Sequence, residues 1–155
     1  MKQDLPSQTV IITGASAGVG EATAHHFARK GANLILVARN KRNLELLANQ
    51  LKDYNHIMTV PMDVSNYNAC LDLVERVASE FSHIDILINN AGNHKRGAVL
   101  DNSALDLAKM IDVNLKAPIV LSRLVLPYMK RKNSAIINVA SLAGRTPVPG
   151  SAVYS

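Results

Sequence analysis

The chain has 155 residues, 48% of them hydrophobic and 19% charged, which suits one domain with a buried core and excludes wholesale disorder. No apolar run approaches the ~20 residues of a membrane helix, the N-terminal stretch MKQDLPSQ lacks the apolar segment of a signal peptide, and a single cysteine, Cys70, excludes an internal disulfide, so a cytoplasmic protein is expected. The net charge of +5 is scattered, with local groups at Arg39, Lys41, Arg42 and at Lys130, Arg131, Lys132, and with four tyrosines, two phenylalanines and no tryptophan to stack on bases, a small anionic ligand is expected rather than nucleic acid.

Thr9 to Thr13 is a short β-branched, apolar run that leads into glycines, and it reads as a first strand. Residues 18 to 30 read as a helix ended by Gly31. Asn33 to Val37 is a second buried strand, and Leu44, Leu47, Ala48 and Leu51 recur at helical spacing. His56 to Val60 makes a third strand. Ser65 is the expected cap of a third helix, with Tyr67, Leu71, Val74, Ala78 and Phe81 as its apolar stripe. Ile84 to Ile88 is the fourth strand, followed by a polar, glycine-containing loop. Ser103 opens a helical stretch carrying Leu107, Met110 and Ile111. Pro118 suits the first turn of a further helix reaching about Met129. Ala135 to Ala140 is the fifth strand. Continuous apolar strands separated by amphipathic helices predict an α/β fold, a parallel sheet covered on both faces. No internal repeat or linker divides the chain, so residues 1 to 155 are read as a single domain.

The first strand runs into Thr13-Gly-Ala-Ser-Ala-Gly-Val-Gly20. Glycines 14, 18 and 20 fall where a chain turns sharply, admits a phosphate against its backbone and starts a helix whose N–H groups face that phosphate. Taken alone, this loop describes a purely structural turn equally well. The second strand ends Val37-Ala38-Arg39, where a dinucleotide-binding sheet usually carries a carboxylate for the ribose hydroxyls. An arginine there instead suits a 2′-phosphate, so Arg39 favours NADP over NAD, while Lys41 and Arg42 are expected in solvent. The histidines at 25, 26, 56, 83 and 94 show no metal-ligand grouping, and no metal is expected.

These motifs resemble those of the short-chain dehydrogenase/reductase family, in its classical branch. TGASAGVG at 13–20 is similar to the family's TGxxxGxG cofactor motif, and Asn89-Asn90-Ala91-Gly92 to its NNAG motif. Asp63-Val64 follows the third strand, Asn114 lies in VNLKAP, and Ser141 and Tyr154 stand thirteen residues apart, a spacing typical of the family's serine–tyrosine pair. The resemblance implies a Rossmann-type sheet of strand order 3-2-1-4-5. It implies cofactor contacts from Gly14, Ser16, Gly18, Val19, Gly20, Asp63, Val64, Asn90, Ala91 and Gly92. It further implies catalytic roles for Asn114, Ser141 and Tyr154 in hydride transfer between NADP(H) and a small carbonyl or alcohol.

In the family a lysine four residues after the tyrosine lowers the phenol's pKa and binds the nicotinamide ribose. That position would be 158, and the sequence ends at Ser155. By resemblance, the family's sixth and seventh strands are also absent, as is a helix that pairs with residues 118–131 across a homo-oligomer. The expectation is a piece of a longer enzyme, inactive by itself. A non-catalytic dinucleotide-binding module is the alternative reading.

Overall fold

A computed structural model describes residues 7–130 and 132–155, so MKQDLP and Arg131 lie outside the described residues. Five parallel strands form one sheet in the order β3-β2-β1-β4-β5. They are β1 (Thr9–Thr13), β2 (Asn33–Ala38), β3 (Ile57–Pro61), β4 (Ile86–Asn89) and β5 (Ala135–Asn138). This is the expected order. β1 is central, with Val10 opposite Leu34 on one side and Ile86 on the other.

Side chains alternate across each strand, so the apolar runs feed two cores at once. On one face Val10, Ile12, Leu34 and Leu36 pack with Ala24 of α1 (Gly18–Ala28) and with Leu44 and Leu47 of α2 (Lys41–Gln50). On the other, Ile11, Ile35 and Leu87 pack with Leu73 and Val77 of α3 (Tyr67–Phe81) and with Leu121 and Val125 of α5 (Ala117–Val125). Between the sheet's fourth strand and α5 lies α4 (Ala104–Ile111), capped by Ser103 as expected. No helix among the described residues is long and apolar enough to cross a membrane.

Several local expectations are corrected. α1 ends at Ala28, and Gly31 sits three residues later in a turn with φ +81°, its N–H donating to the Ala28 carbonyl. The cap of α3 is Asn66, whose side chain accepts from Ala69 N at 3.1 Å; Ser65 is drawn instead to Asp63. The buried face of α3 is Cys70, Leu73, Val74 and Val77, shifted sideways from the expected stripe and leaving Tyr67 exposed. Tyr67 stands in the first turn, beyond the sheet's cover, where its hydroxyl stays in water.

Pro118 stands in the first turn of α5, as expected, but α5 does not start afresh from a loop. The chain runs helically from Ala104 to Tyr128, passing through a wide π turn at Asp112–Lys116, where Ala117 N reaches back five residues to the Asp112 carbonyl. Proline brings no N–H for the carbonyl four residues earlier, that of Asn114, and the widened turn accommodates this without breaking the rod. β5 stops at Asn138, two residues short of the expected end, because Ala140 has no strand beside it to pair with.

Candidate active site

Every loop that carries a motif residue leaves the carboxyl ends of β1, β2, β3, β4 or β5, the edge where open α/β sheets form crevices. Gly14 leaves β1 with φ +66°. A Cβ there would stand 2.9 Å from both the Ala91 backbone and Asn90 Nδ2, so the β4 loop closes directly onto it. Gly20 is tighter still, since a Cβ would lie 2.2 Å from the Gly14 carbonyl oxygen. Only glycine fits either position.

Thr13 and Asn90 lock the two loops together. Thr13 Oγ1 accepts from the N–H groups of Asn90 and Ala91, both at 3.0 Å, and donates to the Ile88 carbonyl. Asn90 Nδ2 donates back to the carbonyls of Thr13 and Gly14 at 3.0 and 3.3 Å. The central β1–β4 seam is thereby fixed where the chain crosses between the halves of the sheet.

Two clefts open above this seam. The first, about 490 Å³, includes Gly14, Ser16, Val19, Arg39, Asp63 and Val64 in its walls. Gly18 and Gly20 are not in its walls: Gly18 turns the chain at φ +58° and Gly20 packs under Gly14. Asp63 lies across from Arg39. The Ser65 backbone N–H, at 2.9 Å, holds its carboxyl below the usual carboxylate range against some burial; the Ser65 hydroxyl, Arg39 and Lys109 add to the effect. Behind this wall the Cys70 thiol is pushed up to about 11 by burial, and then by the Asp63 charge, so it is not an available nucleophile.

The second cleft, about 720 Å³, brings together Asn114, Ser141 and Tyr154 from three separate stretches of chain. Asn90, Ala91 and Gly92 stand in the walls of both clefts. Ser141 precedes a short helical turn at Leu142–Arg145, and its Oγ accepts from Ala143 N at 3.2 Å. Its own hydroxyl proton remains free to be given. Asn114 spends its side chain on one neighbour: Oδ1 accepts from Asn93 N at 2.8 Å and Nδ2 donates to the Asn93 carbonyl at 2.7 Å. Among the described residues no cluster of three or more His, Cys, Asp or Glu is placed to hold a metal.

The sequence model for short chain dehydrogenases matches residues 8–155. The chain belongs to this family. An uncharacterized oxidoreductase of Staphylococcus epidermidis is 36% identical over 149 residues, which cover 95% of this chain and 64% of that protein. An 11-beta-hydroxysteroid dehydrogenase of Pinus massoniana is 31% identical, over 99% of this chain and 44% of its own length. Among solved structures, L-sorbose reductase of Gluconobacter frateurii in complex with NADPH and L-sorbose superposes with a TM-score of 0.92 at 30% identity, over 99% of this chain and 60% of that one. The short-chain dehydrogenase chain therefore spans less than two-thirds of the length of these relatives.

Some residues of this short-chain dehydrogenase site were not legible beforehand. Asn40 caps α2 through its side chain and also stands in the wall of the first cleft, hidden in the sequence between Arg39 and Lys41. Asn93, next to NNAG, carried no signal of its own, because its partner Asn114 is 21 residues away. His94 showed in the sequence only as a histidine outside any metal-ligand grouping. Its ring lies on that of Tyr154.

Proposed function

We propose that this chain carries the cofactor-binding and proton-transfer residues of an NADP-dependent oxidoreductase acting on a small carbonyl or alcohol. One observation carries the reading: the glycine-floored cleft and the cleft holding Ser141 and Tyr154 share Asn90, Ala91 and Gly92. A dinucleotide lying along the first would therefore present its far end to the second. The first cleft fits such a ligand, because Gly14 stands in its wall without a side chain and β2 ends in the exposed cation Arg39, with Ala38 where a carboxylate would serve NAD. The structural relative that holds NADPH supports the same choice.

NADPH, when bound, supplies the hydride. The protein's own work is to hold the substrate oxygen and to move a proton to it. Ser141 Oγ donates a hydrogen bond to that oxygen, and the Tyr154 phenol gives it a proton as the carbonyl carbon is reduced; oxidation runs the same path in reverse. The phenolate left behind recovers its proton from water. Asn114 serves through the loop it clamps at Asn93, keeping the shared wall in place. A free phenol titrates near 10, so efficient transfer near neutral pH needs a cation beside it. In the whole protein, the exposed Ile111 and Leu126 on the α4–α5 rod favour a homo-oligomer.

Tyr154→Phe in the whole protein tests the reading. It is expected to abolish NADPH-dependent reduction across a panel of carbonyl compounds while leaving NADPH affinity unchanged. Retention of most of the activity would remove Tyr154 from the mechanism.

A further inference from the structure

We infer that His94 orients the Tyr154 phenol, acting as a positioning residue for proton transfer; this rests on the role proposed above for Tyr154. The two rings are stacked, with centroids 4.2 Å apart and planes inclined by 24°. His94 Nε2 and Ser151 Oγ share a hydrogen bond of 3.0 Å. Ser151 is 2% exposed, and its carbonyl accepts from the N–H groups of Tyr154 and Ser155, both at 2.9 Å. One buried serine thus holds the imidazole by its hydroxyl and the tyrosine's turn by its carbonyl.

The histidine itself starts from a fixed point. Asn93, immediately before it, is gripped on both its N–H and its carbonyl by the Asn114 side chain. Three residues further on, Gly97 N donates to the Gly150 carbonyl at 2.9 Å, tying the loop after β4 to the loop before Tyr154. A continuous chain of contacts therefore runs from the π turn, through Asn93 and His94, to the phenol ring. Tyrosine has two side-chain torsions, and a flat partner against one face restrains both where Tyr154 lines the second cleft. An aliphatic side chain at 94 would fill space without setting the ring plane. The contact lies just past NNAG, in the loop sequence Asn93-His94-Lys95-Arg96.

Two substitutions separate the stack from the hydrogen bond. His94→Phe keeps a flat ring over Tyr154 and loses the bond to Ser151; His94→Gln keeps a polar partner for Ser151 and loses the stack. With the protein ¹³C-labelled in its tyrosine rings and Tyr154 assigned by Tyr154→Phe, His94→Ala and His94→Gln should move the Tyr154 ring signal toward that of an exposed tyrosine. His94→Phe should not, and the signals of Tyr54, Tyr67 and Tyr128 should stay in place, reporting an intact fold. In the whole protein, His94→Ala should lower kcat by roughly 10- to 100-fold with the KM for NADPH unchanged, and His94→Phe should restore most of it. An unmoved Tyr154 signal in His94→Ala overturns the inference, as does an unchanged kcat or rescue by Gln in place of Phe. Failure of the Tyr154 reading looks different: the spectral changes would persist while Tyr154→Phe remained active.

Discussion

Arg39 stands at the end of β2 with its side chain exposed, in the wall of the first cleft. A charge-assisted contact from it to a 2′-phosphate is worth about 1–3 kcal/mol, and NAD has no group to receive it. Arg39→Ala is therefore expected to weaken NADP binding by that amount and spare NAD, as read by titrating both cofactors; equal losses for the two would refute the assignment. Asp63, opposite, gives a pH signature. Its carboxyl titrates below the ordinary value of 3.8 in the folded chain, chiefly because the Ser65 N–H donates to it. As pH falls, the unfolded chain binds the proton first, so the stability this turn contributes is present above that ordinary value and lost as pH drops through the lowered one. Thermal unfolding of Asp63→Asn should show a shallower acid limb than the unmodified protein, and parallel limbs would contradict the account. Arg39 and Gly14 were legible as cleft residues because each sits beside a strand end, where chain order alone places it, and Asp63 because the family resemblance put it there. The clamp of Asn93 by Asn114, and the His94–Tyr154 stack, were not. Each joins residues far apart in sequence whose types suit a dozen other roles.

At the scale of elements, α3 shows how close two readings can lie. Ser65 and Asn66 are adjacent and both are good caps, but Asp63 competes for Ser65, leaving Asn66 to receive Ala69 N. Asn66→Ala should cost about 0.5–2 kcal/mol in chemical denaturation, the ordinary loss of a cap, and a cost near zero would return the role to Ser65. The strands were legible because buried parallel strands are continuously apolar, and β1 is inaccessible at all five positions. The α4–α5 rod was not, because proline at a helix start is the commoner pattern and nothing in the local sequence announces a π turn. That turn contains Asn114 and sets it opposite Asn93. A regular α-helix would carry Asn114 around to a different face.

At the scale of the whole molecule, several of the apolar side chains left in solvent lie on the α4–α5 rod and at β5. Ile119 is 61% exposed and Leu126 54%. Replacing Leu126 by Lys should convert the proposed oligomer to monomer in sedimentation velocity without disturbing the fold, since the side chain belongs to neither core; an unchanged distribution would move the interface elsewhere. The sheet order has a further consequence, one of time. The bond from Thr9 N to Asp85 Oδ2 and the pairing beside it join residues 76 apart, so the central strand is bordered on one side by a partner that the ribosome makes late. At roughly 5–20 residues per second, that partner follows β1 by about 4–15 s. For that interval β1 and β2 can pair while the far edge of Val10-Ile11-Ile12 stays bare, open to other nascent chains and to chaperones. The strand on which both clefts are built is made well before the partner that closes it.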